Sequence, residues 1–308
     1  MQKNKVNGGY SGPPALVLLL TVLMIALMFL DLGAALSHVS AYTLVIVLHI
    51  VIFGIPSVLY LVLRGKTFFR SLKFGFIPRT AVWPVIIGTL LLILQSCILK
   101  FGVFYFGYDF SAYTLYGSSF QVSAASAGEW ILMVLSLAVV PAVTEEIVFR
   151  GIIFADYRKC GFWCAAIATS LLFAFIHFDF VQFPIYFLDG LLLSWIVFLS
   201  GTVLSSIIAH VLYNVFVLFL EKYIWLFSSN PDSEILFWLI LIAVYLFLLF
   251  LFIGVAEAHL RKLAEEEEFA PDTVPKDKLF ATYFGVFTAK PMLIEYAVFL
   301  IVAIISAL

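Results

Sequence analysis

Runs of about twenty apolar residues, the length at which an α-helix spans the hydrocarbon of a bilayer, recur along nearly the whole chain. PALVLLLTVLMIALMFLDLGAAL, AYTLVIVLHIVIFGIPSVLYLVL and ILFWLILIAVYLFLLFLFIGVA are three of them. With 64% hydrophobic and only 12% charged residues over 308 positions, no water-soluble fold has interior enough to hide this surface. The solvent must be lipid. Backbone N–H and C=O groups then need partners within the chain, and a helix supplies all of them locally. The fold class that follows is all-α: a polytopic transmembrane helix bundle. Hydropathy and breakers place spans near 14–36, 41–63, 81–99, 129–155, 161–179, 183–200, 202–220, 235–256 and 291–308. This makes eight or nine, since the last is short and could only dip into the bilayer.

Little room remains for a separate soluble domain. The chain reads as N-terminal spans and loops over 1–128, a polar-residue-bearing core over 129–220, and C-terminal spans over 221–308 with a polar cytoplasmic loop at 257–280. The N-terminal lysines Lys3 and Lys5 precede an apolar run without a small-residue cleavage site, which reads as an uncleaved first span. The loop holding Arg64, Lys66, Arg70, Lys73 and Arg79 is cytoplasmic by the positive-inside rule. Alternate counting brings Lys3, Lys5, Arg158, Lys159, Arg261 and Lys290 to the same side and leaves Lys100 and Lys222 opposite. An integral protein of a bacterial plasma membrane with a cytoplasmic N-terminus is the expectation. Cys97, Cys160 and Cys164 lack CxxC spacing and are too few for a disulfide framework, so they read as packing residues. A net charge of −2 without a basic, aromatic-interleaved patch sets nucleic acid aside as a partner. The aromatic stretch 101–127 reads as an interfacial belt.

Charges in hydrocarbon cost from about 2.5 kcal/mol upward, so their positions inform. They cluster in the middle spans: Glu145, Glu146, Arg150, His177, Asp179, Asp189 and His210. Glu146 and Arg150 stand four apart, where carboxylate and guanidinium pair on one helix face. Two adjacent carboxylates in low dielectric do not both stay ionised unaided, so Glu146 is assigned as the Arg-paired structural anion. Glu145, about 100° around the helix, is left free as a general base. Pro141 removes a backbone donor one turn before it and predicts a kink. His177 stands near the end of the fifth span, and His210 and Asn214 share a face of the seventh at i, i+4. If spans four and five turn near 158–161, Glu145 and His177 both lie about 20–25 Å from that turn at 1.5 Å per residue. His210 and Asn214 rise about 13–20 Å from a turn at LSGTVLSS. Four polar groups from three helices are therefore expected on one layer. His49 reads as a core histidine, and His38 and His259 as loop or boundary residues. Asp189 is expected to pair with a polar neighbour. Ser194, Ser205 and Ser206 lie near His210 in sequence, but no GxSxG elbow accompanies them. Two His and two Glu are acceptable zinc ligands, yet no HExxH is present.

The three segments together, Glu145-Glu146-Ile147-Val148-Phe149-Arg150, Phe173-Ala174-Phe175-Ile176-His177 and His210-Val211-Leu212-Tyr213-Asn214, resemble the CAAX-processing endoprotease and bacteriocin-processing enzyme family. This is also called the Abi family of membrane proteases, whose pattern is EExxxR, FxxxH and HxxxN or HxxxD. Gly151 and the turn Ser200, Gly201, Thr202 also look like the family, and the resemblance covers about 129–220. It implies an intramembrane endopeptidase in which Glu145 activates a water with the help of His177. His210 and Asn214 stabilise the oxyanion, Arg150 holds Glu146, and Phe173 packs beneath His177. The implied substrate is a membrane-associated peptide or protein tail, lipidated in the family's eukaryotic members. Cofactors are expected to be none, with a zinc-dependent form of the same protease as the alternative. One Arg-paired Glu and an Asn make a poor zinc ligand set. Two other classes stand beside this reading: a non-catalytic regulator or immunity protein using the polar cluster as interhelical glue, and a transporter using Glu and His as a proton relay. Neither inverted repeats nor matched broken helices support the transporter.

Overall fold

The computed structural model describes residues 10–30, 38–105, 126–228, 234–265 and 274–307. Lys3, Lys5, most of the aromatic stretch 101–127 and Glu266 to Glu268 lie outside the described residues. Within them the protein is an all-α, polytopic bundle. The helices are α1 Gly12–Met28, α2 Ala41–Ser71, α3 Arg79–Tyr105, α4 Ala127–Cys160, α5 Phe162–Phe175 and α6 Phe183–Ser200. After them come α7 Val203–Phe219, α8 Glu221–Ser228, α9 Glu234–Glu265, α10 Lys276–Phe287 and α11 Lys290–Ala307. Five of the described helices (α2, α3, α4, α6 and α9) are long and apolar enough to cross a membrane, or six if α10 and α11, bent by 51°, count as one broken span. The apolar helices α1, α5 and α7 are shorter.

Over the described residues each expected apolar segment is helical, with corrected ends, and of the eight or nine expected spans five or six are long enough to cross a membrane. The fifth helix stops at Phe175 rather than 179, and at about 21 Å it is shorter than the hydrocarbon core. Its turn ends on Phe178, a non-glycine residue at φ 51°, a backbone region costly without local compensation. The expected polar loop 257–280 is also corrected. Helix α9 continues to Glu265 and α10 starts at Lys276, because exposed i, i+4 pairs such as Glu257–Arg261 at 2.6 Å keep a polar sequence helical.

Helix α6 packs between α5 and α3, α9 lies against the outer side of α3, and α7 closes against α3, α4 and α6. One apolar core joins Leu16, Leu20, Phe53, Phe149, Leu172 and Met292 from the helices around α4 and α5. A second joins Leu91, Leu92, Ile196 and Phe252 between α3, α6 and α9. Polar bonds fasten the helix ends. Gly65, at φ 83° and ψ 172°, breaks α2 so that Arg64 pairs with buried Asp156, which also accepts from Tyr60 Oη at 2.6 Å and Lys159 Nζ at 3.0 Å. At the α6–α7 turn Gly201 takes the left-handed conformation that only glycine adopts without cost. Thr202 caps α7 and donates to Gly75 O at 2.6 Å. Lys100, which the positive-inside count leaves on the wrong side, is neutralised by Glu221 at 2.7 Å.

Candidate active site

Helix α4 does not run as a plain α-helix. Leu135–Val139 and Ile147–Ile153 are π-helical turns flanking the α-helical Val140–Glu146. Pro141 cannot donate to the preceding turn, and a wide turn before it accommodates the missing bond. Where a kink was expected beside Glu145, the structure has π-helical turns on either side of Val140–Glu146. The turn Arg158–Cys160 and Gly161, at φ 89°, reverse the chain into α5 where the sequence placed a hairpin.

Glu146 and Arg150 are both shielded from solvent, and Arg150 Nη1 donates to Glu146 Oε1 at 2.6 Å. The second guanidinium nitrogen donates to Gly190 O at 3.1 Å, which ties α4 to α6. Gly190 also lets α5 pack closely on α6: a Cβ there would stand 2.9 Å from Ser170 Cβ. The Phe173 ring lies 4.5 Å from the guanidinium carbon, a cation–π distance, and its centroid is 4.8 Å from that of His177. Phe173 therefore supports both the ion pair and the imidazole.

His210 Nδ1 lies 3.0 Å from Glu146 Oε1. The sequence assigned Glu146 to Arg150 alone; the structure makes it the shared anion of Arg150 and His210. His177 Nδ1 lies 2.7 Å from Phe173 O and its ring stacks on Tyr186 at 3.8 Å. A carbonyl only accepts, so Nδ1 carries the proton and Nε2 is the nitrogen left to a ligand. Asn214 Nδ2 donates to Ala138 O at 3.2 Å and keeps its second amide proton. Glu145 is 8% exposed, and among the described residues nothing hydrogen-bonds its carboxylate.

A cavity of about 780 Å³ collects Glu145, His177, His210 and Asn214 on one wall system. It extends past Asp179 and Gln182 to the Lys100–Glu221 pair, the bundle end where α3, α5 and α7 finish. Asp179 is not a ligand-facing acid alone: its carboxylate accepts from Gln182 N at 2.9 Å and Gln182 Nε2 at 2.7 Å, capping the entry to α6. Asp189 finds its polar neighbour in Gln95, whose Nε2 donates at 2.9 Å, and Tyr245 Oη donates to Gln95 Oε1 at 3.0 Å. The serines set aside in the sequence are bonded to backbone carbonyls: Ser194 to Gly190, Ser205 to Thr202 and Ser206 to Val203. His49 is corrected. It lines the same cavity, and its Nδ1 is buried without a hydrogen-bond partner among the described residues. Tyr186 and Tyr213, the latter bonded to Ser96 at 2.7 Å, also line it. Sequence reasoning missed them because a tyrosine among aromatics carries no positional signal.

A zinc site was the alternative. Glu146 is taken up by Arg150 and His210, and among the described residues no three His, Cys, Asp or Glu side chains are grouped to hold one ion.

Comparison with known proteins places the same segment. Residues 126–216 match the family described as type II CAAX prenyl endopeptidase Rce1-like. The chain is similar to YdiL of Bacillus subtilis, a proposed membrane peptidase, at 31% identity over 91 residues, 29% of this chain and 37% of the relative. It is also similar to the membrane-embedded CAAX protease MroQ of Staphylococcus aureus, at 30% identity over 109 residues, 33% of this chain and 42% of the relative. The chain thus spans about two fifths of the length of these curated relatives. No solved structure matches it significantly. The EExxxR, FxxxH and HxxxN segments of this integral membrane chain converge on one cavity, and residues 126–216, which contain all three, are similar to the Rce1-like CAAX endopeptidase family.

Proposed function

We propose that this chain is an intramembrane endopeptidase that hydrolyses a peptide bond in a membrane-associated peptide or protein tail with a water activated by Glu145. The observation that carries it is the division of labour between adjacent acids. Glu146 is locked to Arg150 and His210, whereas Glu145 lines the cavity and its carboxylate has no hydrogen bond among the described residues. Residues 129–220 form the catalytic core in this reading, flanked by the spans of 1–128 and 221–308.

The chemistry follows from the donors. Glu145 takes a proton from water, and Nε2 of His177 accepts a hydrogen bond from the same water and orients it. The water oxygen bonds to the peptide carbonyl carbon. The resulting oxyanion receives hydrogen bonds from Asn214 and from the His210 imidazole, which Glu146 holds in place. Glu145 returns the proton to the amide nitrogen as the C–N bond breaks. Arg150 and Phe173 act on geometry only. No step runs through a metal.

The test uses purified protein in proteoliposomes with a library of acylated and unacylated peptides. Wild type is expected to cleave a subset, Glu145→Gln and His177→Ala none, and Asn214→Ala about 10²–10³-fold less in kcat. 1,10-Phenanthroline is expected to leave the rate unchanged. Cleavage surviving in Glu145→Gln contradicts the base assignment, and loss with chelator contradicts the metal-free chemistry. A location in a bacterial plasma membrane with a cytoplasmic N-terminus belongs to the same proposal, supported by the basic loops.

A further inference from the structure

The family match begins at residue 126, yet one wall of the cavity comes from α1 and α2. Its described lining residues there are Met24, Val45, Leu48, His49, Ile52 and Phe53. His49 is the one polar side chain among them. Its ring stacks almost parallel on Phe53, at 5.5 Å between centroids and 9° between planes, so its orientation is fixed. Its Nδ1 is shielded from solvent and has no hydrogen-bond partner among the described residues. A buried ring nitrogen without a hydrogen bond is uncommon and costly. The cost is sensible where a ligand supplies the bond.

The surroundings specify the ligand. The first α-helical stretch of α2 ends at His49, and a π-helical turn occupies Ile50–Gly54 before the α-helix resumes, the kind of local widening that recurs at functional sites. This stretch packs against Leu135–Val139 and Val140–Glu146, the part of α4 that carries Glu145. A peptide lying over Glu145 therefore has His49 beside it, within a wall otherwise suited to apolar side chains. Side chains that fill such a wall offer no hydrogen bond. The backbone amide of an extended peptide does.

We propose that His49 is a substrate-positioning residue whose Nδ1 hydrogen-bonds a backbone amide of the bound peptide, next to apolar side chains seated against Val45, Ile52 and Phe53. The inference rests on the peptidase reading above and adds a recognition element from outside the family segment. Its bond forms in ground and transition states alike, so it acts on binding.

Three variants separate recognition from packing. His49→Phe keeps the stack on Phe53 and removes the nitrogen, His49→Ala removes both, and His49→Asn restores a hydrogen-bonding atom near the Nδ1 position. With a library peptide that wild type cleaves, Ala and Phe are expected to raise KM about tenfold while kcat stays within about twofold, and Asn to return KM to within about threefold. Wild-type KM in His49→Phe overturns the proposal, as does an equal fall in kcat and thermal stability across all three variants. The tightest-binding library peptide is also titrated into Glu145→Gln and into Glu145→Gln/His49→Phe. A tenfold weaker Kd in the double variant supports His49 even if wild type cleaves nothing, which would defeat the peptidase reading alone. Equal Kd values, or no binding, overturn the proposal.

Discussion

At the scale of single residues, two neighbouring acids in one helix turn differ because of what reaches them. Glu146 is 0% exposed and bonded to both Arg150 and His210; its neighbour faces a cavity. Glu146→Gln leaves Arg150 buried without its counter-charge, which is expected to cost about 3–5 kcal/mol, read as a lowered unfolding midpoint in detergent. Glu145→Gln removes a group that no partner depends on and is expected to change stability by less than about 1 kcal/mol while abolishing cleavage. Equal destabilisation by the two would contradict the separation of roles. The pairing of Glu146 with Arg150 was legible in the sequence because four residues on a helix define a neighbour. The second bond, from His210, was not, since it joins positions 64 apart and depends on how α4 and α7 are rotated. His49 was misread for the same reason: an isolated histidine in an apolar run gives no sign of whether its helix face meets core or cavity.

At the scale of elements, apolar length fixed which segments became helices, while their ends were set by local chemistry. The fifth helix stops short of His177, so this imidazole is held by its bond to Phe173 O and by Tyr186, not by continuing helix. The π-turns of α4 have no clear sequence signature beyond Pro141. Close packing of α5 on α6 at Ser170 and Gly190 sets the carbonyl that Arg150 grips. Gly190→Ala places a methyl group about where Ser170 stands and is expected to cost about 1–3 kcal/mol and to lower activity by shifting that carbonyl. Adding Ser170→Gly makes room and is expected to recover most of the loss. Failure of the pair to recover either stability or activity would show that the contact is not the cause.

At the scale of the whole molecule, the cavity and the basic loops point to opposite ends. Arg64, Arg70 and Lys73 flank the α2–α3 connection, whereas the cavity reaches Asp179, Lys100 and Glu221 at the other end. On the proposed cytoplasmic placement of those basic loops, the cavity end lined by Asp179, Lys100 and Glu221 faces away from the cytoplasm. Native cysteines are buried, so single cysteines at exposed Phe76 and Phe180 report each end. In intact cells a membrane-impermeant maleimide is expected to label Phe180→Cys and to reach Phe76→Cys only after permeabilisation; the reverse pattern inverts the topology. The bundle, its helical class and its polar layer were readable from composition and spacing, because lipid leaves few alternatives. The wall built by α1 and α2 was not, because nothing in an apolar run says which neighbours it meets. The decisive measurement compares peptide termini, by mass spectrometry, in membranes holding equal amounts of wild type or Glu145→Gln. A Glu145-activated water predicts new C-termini in the wild-type membranes that are missing from the variant, each carrying one solvent-derived oxygen. Identical termini in both would contradict it.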